Sequence, residues 1–330
     1  MFTSPSQARA LTEYLEPLAP FMADSGNTEI AVNRPNEVWT ESREGWKCHP
    51  VDLSSKHCKL LAELIASYNM DSIGENKPVV SGILPTQERV QVVRDPACTP
   101  GTVSLTIRKF NDLELSLEEL NEQGAFSDVR KARHGISPVE EMLLELHNEQ
   151  RYYEFIKLAV KHHLNIIIGG ATGSGKTVLN KSMIQLINPA ERIITIEDVH
   201  ELFMRNFPNK VHLFYKNKIG SNFTSRDALA SCVRMKPDRI LLSELRGPET
   251  LDYIESLNTG HPGSITSIHA NSAWDVFSRL TSLIKKSEAG LTLDTDFIRS
   301  MCYQTIDVVL FYKNRKLVEV YYEPERKYAA

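Results

Sequence analysis

Apolar positions near the N-terminus recur three or four apart at Ala8, Leu11, Leu15 and Leu18 and predict a helix over residues 5–18. Short runs at 29–32 and 37–40 flank Asn33, Arg34, Pro35 and Asn36, a turn-rich link that predicts a hairpin. An amphipathic helix follows over 53–68, then three strand-like runs at 79–84, 89–93 and 102–108. Helices interspersed with hairpin-like strands predict a small antiparallel sheet with helices on one side. Ser116 with Glu119, and Ser137 with Pro138 and Glu140, are capping boxes that open two further helices. The polar stretch between them, 124–135, is the expected linker and hinge, which puts a domain boundary near residue 135.

Beyond that boundary helix and strand alternate. A helix over 153–162 leads into the almost wholly apolar run 164–168, as a buried parallel strand requires. Strands are expected at 192–197, 211–215, 240–243 and 265–269, with helices between most of them, and a closing hairpin at 306–312 and 316–322 around Lys313, Asn314 and Arg315. This alternation predicts a doubly wound, mainly parallel sheet.

The 330 residues agree with two domains, 1–135 and 136–330. Hydrophobic residues at 42% and charged residues at 24% fit a soluble globular chain. No run of 18 apolar residues and no signal pattern is present, so neither membrane spanning nor Sec-type export is expected. Lysine and arginine number 38 against 42 acids, a net −4; residues 1–140 hold 14 basic and 20 acidic groups, and the rest 24 and 22. Neither part is basic enough to make duplex nucleic acid the main ligand. Five scattered cysteines point to a reducing cytoplasm. Cys48, His49, His57 and Cys58 can be drawn as a zinc site, but their spacing is no standard finger, and buried thiols with surface histidines are the better reading.

Gly170, Ala171, Thr172, Gly173, Ser174, Gly175, Lys176 and Thr177 match G-x-x-x-x-G-K-[ST], after a strand and before a helix beginning at Val178. Glycines let consecutive N–H groups curl around a phosphate without Cβ clashes, and the helix N-terminus adds its dipole. Lys176 is expected to bridge the β- and γ-phosphates of ATP and Thr177 to offer its hydroxyl to Mg²⁺. The whole is then an α/β chain with a C-terminal RecA-like P-loop domain and a smaller α+β N-terminal domain.

Two apolar strands end in acids, one in Glu197 and Asp198, the other in Ser243 and Glu244. Ligands of open α/β sheets sit at that edge. The expectation is that Glu244 holds Mg²⁺ through water while Glu197 polarises the attacking water. Asp198 serves either function or the cap of a helix starting near Val199. His261 and His269 flank the strand 265–269, and either can sense the γ-phosphate; His261, in the loop, is preferred. Charge on the transferring phosphoryl group calls for arginines. Arg246 is well placed and Arg108 could come from the first domain, with Arg130, Arg133, Arg234 and Arg239 behind them.

This set of boxes resembles the secretion-superfamily traffic ATPases, within them the type IV secretion and conjugation branch. The residues that carry it are the phosphate loop, an aspartate box at 196–202, a Walker B segment at 239–247 and a histidine box at 259–270, in the family's order. Ser267 stands where the histidine box often has threonine, which keeps a hydroxyl. The resemblance implies a cytoplasmic homohexameric ATPase, peripheral at the cytoplasmic face of the bacterial inner membrane. It implies work beside other type IV secretion ATPases and inner-membrane components to drive pilus assembly and substrate transfer. It also gives Glu197 the catalytic and Glu244 the metal-side role. Type II relatives carry a four-cysteine zinc module that these cysteines do not form, which favours the type IV branch or a pilus-retraction motor over a type II secretion motor, the other alternative within the superfamily. A DNA-stimulated translocase and a non-hydrolysing scaffold remain the rival readings.

Overall fold

In the computed structural model, residues 5–110, 115–129, 131, 135–216 and 222–328 are described; Arg130, Arg133 and part of the expected hinge lie outside them. The first six strands are β1 (Glu29–Val32), β2 (Glu37–Ser42), β3 (Gly45–Pro50), β4 (Val79–Ile83), β5 (Arg89–Arg94) and β6 (Val103–Arg108). They form an antiparallel sheet in the order β3-β2-β1-β6-β5-β4. The helices Pro5–Tyr14 and Ser55–Tyr68 bury Leu11, Leu61 and Ile65 in one core with Ile30, Val92 and Ile107 of the sheet.

Two elements here differ from the sequence reading. Strand β3 was not expected, because its residues are mostly exposed and show no apolar alternation. It exists as the outer half of a hairpin whose turn is closed by Gly45 at φ 92°. The expected helix 5–18 instead ends at Tyr14 and continues as a 3-10 turn, Glu16–Leu18, because Pro17 has no N–H to prolong the α-helical ladder.

The remaining strands are β7 (Ile166–Gly169), β8 (Ile193–Glu197), β9 (Lys210–Phe214), β10 (Arg239–Leu242), β11 (Ile265–Ile268), β12 (Val308–Lys313) and β13 (Lys316–Tyr321). One ladder runs β10-β8-β9, wholly parallel. The other runs β11-β7-β12-β13, parallel except for the closing β12–β13 hairpin. They adjoin at β10 and β11, through a parallel bridge between Leu245 and Ile268. Two hydroxyls also cross that seam: Ser264 Oγ donates to the Ile240 carbonyl at 2.5 Å and Ser267 Oγ to that of Ser243 at 3.0 Å. The class is α/β with mixed sheets, and β7, β8, β10 and β11 are buried along their length, which is why they read as near-continuous apolar runs.

The six-stranded sheet is fastened to this assembly. Cys98 bridges to Leu213, and the Phe214 N–H donates to the Ala97 carbonyl at 2.9 Å. Arg192, just before β8, is fully buried. Its guanidinium donates to Asn33 Oδ1 (2.8 Å), Asn209 Oδ1 (2.6 Å), Thr106 Oγ1 (3.3 Å) and the Met235 carbonyl (2.9 Å), and it lies 5.0 Å from the Trp46 ring centroid. Burial lowers its pKa to about 10.

Candidate nucleotide site

Strand β7 delivers the chain into the glycine loop, and the helix Lys176–Ile184 leaves it. Gly175 caps that helix in the left-handed conformation, φ 100°. A Cβ on Gly170 would stand 2.3 Å from the Tyr312 carbonyl oxygen, so only glycine lets the loop lie this close to β12. Ala171, Thr172, Gly173, Thr177 and Val178 face outward, while Ser174 is buried with its hydroxyl unpartnered. Lys176 curls back into the loop, its Nζ donating to the carbonyls of Gly170 (2.9 Å) and Ala171 (3.0 Å). Burial lowers its pKa, with Glu244 pulling the other way.

From Lys176 a chain of polar side chains crosses the carboxyl ends of the strands. Nζ of Lys176 is 3.5 Å from Nδ1 of His269, whose Nε2 is 2.9 Å from Glu244 Oε1. The other Glu244 oxygen accepts from Arg246 Nε at 2.6 Å, and Arg246 Nη1 donates to Asp198 Oδ2 at 2.5 Å. Burial works to lower the Arg246 pKa, but the Glu244 and Asp198 carboxylates together outweigh it and keep it above the usual guanidinium value. Ser243 Oγ, at the base of the chain, is buried without a partner. A cation, an acid and an imidazole thus converge beside an anion-binding loop, as phosphoryl chemistry requires.

Several expectations need correction. Glu197 does not join this chain: it is fully buried, and its carboxylate oxygens meet neighbours in its own strand and the turn that follows. Oε1 accepts from Thr195 Oγ1 at 2.6 Å, and Oε2 from the backbone N–H of Glu201 (2.7 Å) and Leu202 (2.8 Å). Burial works to raise its pKa, but hydrogen bonds from His212, Thr195 and these amides outweigh it and hold it at about 2. Those amide bonds also close a non-helical turn, so no helix starts at Val199 for Asp198 to cap.

His261 precedes β11 and therefore lies at the opposite edge of the sheet from the loop; His269, which follows β11, is the histidine at the site. Arg108 pairs with Glu29 at 3.1 Å inside its own sheet. Arg239 is buried against Glu191 at 2.6 Å, and Arg234 reaches Ser81 at 3.4 Å. The drawn zinc site does not assemble: His49 Nε2 meets Thr40 Oγ1 and His57 Nε2 meets the Tyr14 carbonyl, each at 2.9 Å. Asp198 and His269 were legible only as alternatives, since their place depends on which end of a strand faces the loop.

Among the described residues no helix is long and apolar enough to cross a membrane. Residues 102–315 match the family model described as type II/IV secretion system protein. The type IV secretion system protein VirB11 of Brucella abortus is 42% identical over 98% of this chain and 92% of its own. PtlH, a type IV secretion system protein of Bordetella pertussis, is 33% identical over 97% of each chain. The crystal structure of the VirB11 ATPase from the Brucella suis type IV secretion system, in complex with sulphate, superimposes with a TM-score of 0.92 at 41% identity, covering 97% of this chain and all of that one.

Proposed function

The chain belongs to the type II/IV secretion system protein family, and from that premise we propose that it is the ATP-hydrolysing motor of a type IV secretion system, working as a homohexameric ring. The observation that carries this reading is the convergence of Lys176, His269 and Glu244 at one edge of the parallel strands. In this reading residues 136–330 are a RecA-like motor domain and 1–135 a smaller domain that closes over the nucleotide. The ring is peripheral at the cytoplasmic face of the inner membrane, beside other secretion ATPases and membrane components, and drives pilus biogenesis and substrate transfer.

The chemistry follows from the side chains. Lys176 exchanges the Gly170 and Ala171 carbonyls for β- and γ-phosphate oxygens, and the loop amides take the remaining charge. The unpartnered Ser243 Oγ and the exposed Thr177 hydroxyl fit a Mg²⁺ site completed by Glu244. Bound Mg²⁺ supplies charge neutralisation on the phosphate oxygens. Glu244 orients the attacking water and holds its proton, while His269 keeps that carboxylate in register with Lys176. Arg246 fixes the other oxygen of Glu244 and carries positive charge toward the site. Glu197 positions the 198–202 turn, and through it Asp198.

The test is ATP turnover of size-separated oligomers of wild type, Lys176→Ala, Glu244→Gln and Glu197→Gln, with Mg²⁺ and lipid vesicles supplied. Turnover in the ring fraction, lost with rings intact in the first two variants, is expected. A silent wild-type ring would remove the motor reading. Turnover that survives Glu244→Gln but not Glu197→Gln would return the catalytic role to Glu197, and several-fold stimulation by DNA would favour a translocase.

A further inference from the structure

We propose that Glu197, His200 and His212 form a binding site for one divalent transition-metal ion, with zinc the best fit to the donors. Three chain segments meet there: Glu197 ends β8, His212 lies on the adjacent strand β9, and His200 lies on the turn that follows Glu197. Glu197 Oε1 is 3.3 Å from His212 Nδ1 and 3.5 Å from His200 Nδ1, and all three ligand atoms lie within 4.8 Å of one another. A tetrahedral zinc with bonds of about 2.0–2.1 Å separates its ligands by about 3.3 Å, close to both distances from Glu197 Oε1.

The surroundings orient these donors as the outer shell of a metal site does. Glu197 Oε2 is fixed by the Glu201 and Leu202 amides, which leaves Oε1 for the ion; Thr195 Oγ1, 2.6 Å from Oε1 and 2.8 Å from His212 Nδ1, gives up its contact with that nitrogen when an ion binds. Phe203 and Phe214 stand edge-on to the His200 ring at 4.6 and 5.1 Å, which limits its rotation. His200 is partly exposed whereas Glu197 and His212 are buried, so an ion has a route in and a water can complete the fourth position. Two imidazole nitrogens and one carboxylate select zinc, cobalt or nickel over magnesium, which prefers oxygen ligands in octahedral array. Ligation through Nδ1 places each ring proton on Nε2. These three residues are not among the contacts that link Lys176, His269, Glu244 and Arg246, but Asp198, next to Glu197, reaches Arg246, so the ion would stiffen the turn that feeds the catalytic chain.

The test uses tag-free full-length protein stripped with a chelator, then titrated with Co²⁺ by visible absorption and with Zn²⁺ in competition with a chromogenic chelator. His200→Ala changes a partly exposed position and is checked for an unchanged metal-free melting curve; His49→Ala is the control for a solvent-side imidazole. Expected are one saturable equivalent, the Co²⁺ absorption of a four-coordinate ion, no displacement by excess Mg²⁺, and Zn²⁺ affinity at least about tenfold weaker in His200→Ala but not in His49→Ala. Absence of a saturable equivalent, displacement by Mg²⁺, or equal affinity in His200→Ala would overturn the proposal.

Discussion

Lys176 and His269 stand 3.5 Å apart, Nζ to Nδ1, although 93 residues separate them in the chain. Strand β11 brings them together: it pairs with β7, so the residue after β11 emerges beside the loop after β7. If His269 registers Glu244 against the lysine, His269→Ala should lower kcat on the order of a hundredfold, as losing one aligned polar group does elsewhere. His261→Ala, at the far edge of the sheet, should leave kcat unchanged. Steady-state turnover of the two variants side by side checks this.

Arg246 should not be replaceable by lysine. Its fork holds Glu244 at 2.6 Å and Asp198 at 2.5 Å simultaneously, and a single ammonium cannot match both geometries. Both Arg246→Ala and Arg246→Lys are expected to lose kcat with little change in KM. A variant with raised KM and unaltered kcat would instead make Arg246 a binding residue.

Glu197 should reveal itself in folding more than in chemistry. Its carboxylate is held at about 2, below the ordinary 4.5, so its ionised form stabilises the native state above pH 4.5 and that contribution is lost as pH falls toward 2. The shift corresponds to on the order of 3 kcal/mol. Denaturant unfolding should find Glu197→Gln less stable at neutral pH by an amount of that order, with a shallower decline toward acid than wild type.

Glu29 should behave in the opposite sense. It is almost fully buried beside Arg108, and burial, partly offset by that arginine and reinforced by Glu41, raises its pKa from 4.5 to about 7. The native state therefore holds this proton where the unfolded chain has released it. The resulting stability is complete below pH 4.5 and lost as pH rises through 7. Glu29→Gln should flatten the slope of stability against pH across that window, measured by urea unfolding between acid and neutral pH.

What was legible in the sequence followed chain-local requirements. The glycine loop is readable because phosphate binding needs those residue types at fixed neighbouring positions, and the buried strands because their apolar runs are continuous. Which partners a carboxylate meets is not local. Glu197 and Glu244 both end apolar strands, yet the first is held by Thr195 and two amides from the next turn, while the second lies between Arg246 and the His269 that reaches Lys176. The choice between His261 and His269 failed for a related reason: a strand's direction decides which flanking residue faces the loop. Strand β3 escaped because an edge strand exposed to water needs no apolar alternation.

The buried guanidinium of Arg192 limits how a working stroke can be made. It touches Asn33 and Thr106 on one side and Asn209 and Met235 on the other. Pulling those surfaces apart would leave a charge stripped of partners in a dry crevice, at a cost of several kcal/mol. A rotation that keeps these bonds made avoids that cost. In the proposed motor Arg192 would then be the fulcrum, and a lever mounted on it would deliver travel at its ends rather than separation at its centre.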